Sequence, residues 1–134
     1  MQGGEDVANL ISTFAVLKPS LQIDRLPVTP SIYTELDERY DGFAGHVLLA
    51  CHHFEDDWPT WEIHPNGDEL VCLVSGDTEL VLRTDSGDRS VRLAEPGAFV
   101  VVPGGTWHTA KVHAPTTMLF ATPGEGTENR ETPA

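Results

Sequence analysis

Residues Trp61–Gly76 read WEIHPNGDELVCLVSG, and the rest of the chain is best read outward from them. Glu62, His64 and Glu69 fall within eight residues, beside an apolar run that ends in a turn. Acid and imidazole groups next to a hydrophobic strand cost free energy unless a partner satisfies them. In a strand alternate side chains share a face, so Glu62 and His64 point the same way. Pro65, Asn66 and Gly67 make the next segment a turn, and a second strand opens at Glu69 with Val71 and Leu73 on its face. If that face looks inward, Glu62, His64 and Glu69 converge. Leu70, Cys72 and Val74 make the opposite face apolar as well. That face then expects cover from a second sheet, a second subunit or the first 40 residues folding back.

From residue 44 onward the same grammar repeats. AGHVLLACHHF, ELVCLVSG, TELVLRT, SVRLAEPG, AFVVVPGG, WHTAKVHA and TMLFATPG are short runs rich in Val, Leu, Thr and aromatics. SGDTE, TDSGDRS, AEPG and PGG separate them as turns. Strands recurring at this interval predict an all-β sandwich or small barrel in one domain. The expected division is an N-terminal extension of strands over residues 1–43, a barrel core over 44–122 and a loose or draped polar tail over 123–134. Within the extension, PSLQIDRL and PSIYTEL read as strands covering the barrel edge, and DVANLISTFAVL as a short helix or a strand.

A second constellation lies in GAFVVVPGGTWHTAKV, where Gly97, Pro103, Gly105 and His108 fit a strand, a tight turn and a strand carrying the histidine. Taken with His64, Glu69 and Gly76, these residues reproduce the order and intervals of the two motifs of the cupin superfamily, which the chain resembles over residues 44–122. The resemblance implies a jelly-roll barrel (a double-stranded β-helix) with a metal held inside near one end. It carries His64, Glu69 and His108 over as metal ligands. The pattern departs at three places: Glu62 stands where the first histidine would be, Val112 where the closing asparagine would be, and Asp56 where the first glycine would be. Glu62 therefore has three roles open to it: a fourth ligand, a base beside the substrate, or a carboxylate turned to solvent.

Two imidazoles with carboxylates form the mixed N/O donor set of non-haem iron sites, and Fe, Mn, Ni, Co or Zn all suit it. One divalent transition metal per chain is the expected cofactor. The expected function is metal-dependent, dioxygenase-like chemistry on a small organic molecule. A cupin isomerase or lyase, or a ligand-binding or sensing protein without turnover, stands as the alternative. No catalytic or substrate-binding residue is singled out beyond the ligands.

Composition narrows the partners. Asp and Glu number 21 against 8 Lys and Arg, a net charge of −13 that repels nucleic acid and anionic membranes. No apolar run reaches the length of a membrane span, and the acidic start lacks a signal peptide's basic region. Cys51 and Cys72 sit inside apolar runs and read as buried free thiols of a reducing compartment, so a cytoplasmic protein is expected. A homodimer is expected from the two-faced strand at Glu69 and from the habit of the family. His46, His52 and His53 read as satisfied or exposed strand histidines, with a pocket-lining place for one of them as the alternative; His113 reads as outward-facing, and Trp58, Trp61 and Trp107 as packing residues.

Overall fold

The computed structural model describes residues 6–132. Nine strands form one hydrogen-bonded sheet, curled into a half-barrel. They are β1 (Thr13–Leu17), β2 (Ile23–Pro27), β3 (Val47–Phe54), β4 (Trp61–Ile63), β5 (Glu69–Thr84), β6 (Gly87–Leu93), β7 (Phe99–Val102), β8 (His108–Thr122) and β9 (Glu128–Arg130). One helix, α1 (Ile32–Arg39), stands between β2 and β3.

Two long bent strands organise the sheet. β8 pairs with β5 along its length, from Leu82↔His108 to Leu70↔Ala121, and with β3 over its second half. ELVCLVSG and TELVLRT, expected as separate strands, are one strand bent by irregular pairing between Leu73 and Thr78. WHTAKVHA and TMLFATPG likewise merge into β8. Gly76 sits at the β5 bend with φ +109°, and a Cβ there would lie 2.5 Å from the Pro115 carbonyl and the Thr116 hydroxyl. Only glycine fits where the two backbones approach this closely.

The inner face follows the alternation. Val71, Leu73 and Leu80 are fully buried, packed with Val102, Met118 and Phe120 in a core inside the half-barrel. A second core joins the N-terminal segment to the barrel: Ile32 and Leu36 of α1 press on Phe14, Val16, Leu26, Leu48 and Ala50. β1 and β2 are strands, whereas PSIYTEL departs from expectation and enters α1. Ile32, Leu36 and Tyr40 recur at the four-residue helical interval, and all three are buried. A helix of eight residues is marginal alone, so burial of this stripe stabilises it. Tyr40 then donates to Asp24 Oδ2 at 2.8 Å, tying the end of α1 to β2.

The polar tail is draped on the sheet rather than loose. Residues 128–130 form β9 against β4, with Glu62↔Asn129 in register. The outer face is only partly covered: Leu70 and Cys72 are half-buried, while Val74, Phe99 and Val101 are exposed. No helix among the described residues is long and apolar enough to cross a membrane.

Candidate metal centre

Three backbone relations bring the two motifs together. β4 pairs with the start of β8 at Glu62↔His108. Gly105 N–H donates to the His64 carbonyl at 3.0 Å, and Gly104 N–H to Asp68 Oδ1 at 2.8 Å. The Pro-Gly-Gly turn is thereby clamped onto the turn that carries His64. A side chain at Gly104 would crowd it, because a Cβ there would come within 3.0 Å of the Gly67 carbonyl.

The donor atoms of Glu62, His64 and His108 lie within 4.8 Å of one another. Glu69 stands between the two imidazoles, with Oε2 3.2 Å from His64 Nε2 and Oε1 3.1 Å from His108 Nε2. Glu62 Oε2 is farther out, 3.7 Å from His64 Nε2, on a side chain that is 31% exposed. His64, Glu69 and His108 are buried. Parity therefore placed Glu62 and His64 on one face, and the structure adds that Glu62 is the donor nearest solvent.

The far side of each ring is held. His108 Nδ1 lies 3.0 Å from the Thr106 carbonyl, which can only accept, so Nδ1 carries the proton. His64 Nδ1 lies 2.8 Å from Thr127 Oγ1. That hydroxyl already donates to the Gly124 carbonyl at 2.9 Å, so it accepts from the ring. Both rings thus present Nε2 inward, and neither Nε2 has a hydrogen-bond partner although both are buried. Thr122 donates to Glu69 Oε2 at 2.6 Å and orients the carboxylate. Thr122 and Thr127 were not singled out in the sequence; no spacing rule marks them, and Thr127 lies in the stretch expected to be loose or draped.

Electrostatics follow the packing. Burial opposes charge on His64, but Glu62 and Glu69 outweigh it and hold the imidazolium up to about 9. Burial pushes Glu69 upward, and contacts from His108 and His64 overturn this, leaving the carboxyl well below its ordinary range.

A cavity of about 1040 Å³ opens onto these groups. Phe54, Trp58 and Phe120 line it, and so does His52, which takes the pocket-lining place that the sequence left as the alternative for one of the strand histidines. Its ring packs against Phe14 at 5.5 Å and Phe120 at 5.7 Å and has no hydrogen bond among the described residues. Trp58 packs on His108 at 6.2 Å, whereas Trp61 and Trp107 lie under Arg83 and Arg130. His113 pairs outside with Glu79 at 3.0 Å, as its parity required.

No family model matches the sequence, and no curated protein matches it. Solved structures do. Oxalate decarboxylase from Bacillus subtilis is 18% identical with a TM-score of 0.53, over 63% of this chain and 23% of that one. A cupin-2 domain protein from Shewanella frigidimarina is 18% identical with a TM-score of 0.48, over 63% of this chain and 71% of that one. Hydroquinone 1,2-dioxygenase from Sphingomonas sp. TTNP3 is 18% identical with a TM-score of 0.49, over 57% and 58%. The curled antiparallel sheet, the glycine-dependent bend and the likeness to oxalate decarboxylase agree: this chain has the cupin fold.

Proposed function

We propose that the chain binds one divalent transition metal through Glu62, His64, Glu69 and His108, and acts on a small organic molecule in the adjoining cavity as a dioxygenase-like enzyme. One observation carries the metal reading. Both imidazoles are fixed by their Nδ1 partners, and two unpartnered Nε2 atoms face carboxylate oxygens at 3.1 and 3.2 Å. A lone pair facing an anion is repulsive unless a cation, proton or metal, lies between them. Second partners that fix the ring tautomer are how metal-ligating histidines are normally held.

When bound, a divalent ion here would supply Lewis acidity and, as Fe or Mn, access to oxygen chemistry. The chain's own residues do the rest. Thr127 and the Thr106 carbonyl aim the imidazoles, and Thr122 aims Glu69. Phe54, Trp58 and Phe120 form an apolar wall beside the donors. His52 stands on that wall with both ring nitrogens free to exchange a proton with a bound molecule. The fold neighbour oxalate decarboxylase is described with Mn(II) centres. At 18% identity that likeness speaks for the fold, so the donor chemistry supports the reading here.

The test is metal analysis of the purified chain, followed by oxygen consumption over a panel of phenols, thiols and acids. We expect about one divalent ion per chain and oxygen uptake with at least one class. A chain that takes up none of Fe, Mn, Ni, Co or Zn at neutral pH refutes the metal reading. A metal-loaded chain that binds panel members without consuming oxygen leaves the binding role and removes the dioxygenase.

A further inference from the structure

The cavity above the donors is one-sided in charge. Asp37 and Glu38 of α1, together with Glu55, Asp56 and Asp57 before β4, are exposed and line it, and Glu62 and Glu69 lie deeper. No Lys or Arg lines it among the described residues. Four of the eight Lys and Arg are engaged elsewhere: Lys18 with Asp24, Arg83 with Asp88, Arg92 with Asp77 and Arg130 with Glu128. If Glu62 and Glu69 balance a divalent ion, the five exposed carboxylates remain at the rim, where Glu55 faces the His53 imidazole at 3.5 Å and Asp57 accepts from Val112 N–H.

Among the described residues the walls carry no Lys or Arg, and a proton on His64 would sit between the carboxylates of Glu62 and Glu69. Burial holds the His52 imidazole below its ordinary value, against the pull of Glu62 and Glu69, so at neutral pH it is an uncharged donor and acceptor. His53 turns to Thr117 and Glu55. The remaining wall is aromatic, with Phe54, Trp58 and Phe120 ring centroids 5.4 to 6.2 Å apart. Apolar walls with a few polar groups are what a pocket for a small ring-bearing molecule requires. A carboxylate entering past five like charges is repelled before it reaches the donors.

We propose that this cavity selects uncharged or cationic ring-bearing molecules and turns away carboxylates. The proposal deepens the functional reading above by naming the substrate class of the same site.

Three probes of one shape test it: 4-hydroxybenzyl alcohol, 4-hydroxybenzylamine and 4-hydroxybenzoate. Each is titrated into the full chain by calorimetry, at low and high salt, with Mn(II) loaded and after chelation. At low salt the alcohol and the amine are expected to bind about tenfold tighter than the benzoate, with the benzoate gaining as salt screens the rim. In the double variant Asp37→Asn, Asp56→Asn, which removes two of the five rim charges, the gap narrows; neither side chain has a hydrogen bond or ion pair among the described residues, so the fold should tolerate the change. Benzoate binding as tight as the alcohol, a gap indifferent to salt, or no binding of any probe at millimolar concentration would overturn the proposal. Metal content is measured on the same samples. The expected ranking in a chain that takes up no metal upholds this proposal and defeats the metal reading; a loaded chain with the opposite ranking does the reverse.

Discussion

At the scale of single residues the centre turns on His64. Its folded pKa, about 9, lies above the ordinary 6.5, so a proton competes with a metal for Nε2 across the neutral range. Metal affinity is therefore expected to rise about tenfold per pH unit up to about 9, where one proton no longer has to leave. Competition with a chelator over pH 6 to 10 checks this, and a flat profile would exclude His64 as a ligand. In the metal-free chain the sign reverses. A raised pKa contributes stability that is fully present below 6.5 and is lost as pH rises through about 9. Glu69, lowered from 4.5, contributes stability present above that value and lost in acid. Thermal midpoints of the chelated chain should thus fall between pH 6.5 and 9, while those of the loaded chain should not.

Two substitutions separate the donors from their supports. Thr127→Val removes the acceptor for His64 Nδ1, and metal affinity should drop about ten- to hundredfold with little change in thermal midpoint of the chelated chain. Glu62→Gln asks whether the outermost carboxylate coordinates. A ligand role predicts weaker binding and an altered coordination spectrum; no change in either would leave His64, Glu69 and His108 as the set.

At the scale of elements the β5 bend sets the shape. Gly76→Ala would put a Cβ 2.5 Å from backbone and hydroxyl oxygens at φ +109°, where side chains are strained even in open space. We expect a loss of about 3 kcal/mol, read by urea denaturation; a loss under about 1 kcal/mol would mean that the two strands separate easily there. α1 is followed by another strained element. Asp41, Gly42 and Phe43 all have positive φ, and Phe43 is nevertheless buried, 6.0 Å from Tyr40. Burial of that ring and of the α1 stripe offsets the backbone cost. The four-residue spacing of Ile32, Leu36 and Tyr40 was legible in the sequence, but the helix competes with a strand until the N-terminal core is present to cover it.

At the scale of the whole molecule the outer face of the half-barrel stands out. The register sets Leu70 beside Val101 and Ala121, and Cys72 beside Phe99 and Leu119, so one apolar surface runs across β7, β5 and β8. Phe99 is 59% exposed, and the described part of the N-terminal segment does not cover it. We propose that a second copy does. Sedimentation at micromolar concentration is expected to show two 14.6 kDa chains together, and Phe99→Asp to release single chains, since an unpaired charge cannot be buried there without penalty. Single chains of the unaltered protein would refute the dimer.

Local rules were enough for much of this protein. Alternation placed Glu62 with His64 and Glu69 with Val71, and turn residues marked Pro65–Gly67 and Pro103–Gly105, because side-chain direction and turn chemistry depend on neighbours in the chain. Those rules sufficed for the β class and for an inward-facing His64, Glu69 and His108, which the structure buries side by side. The distance between the motifs, the partners that aim each ring, the tail's entry into the sheet and the place of His52 in the cavity were decided by tertiary structure. Thr127 lies 63 residues from the histidine it holds, and Asp68 lies 36 from the turn it clamps. Contacts at such separations form only when the sheet curls, and no pattern within a strand or turn encodes them.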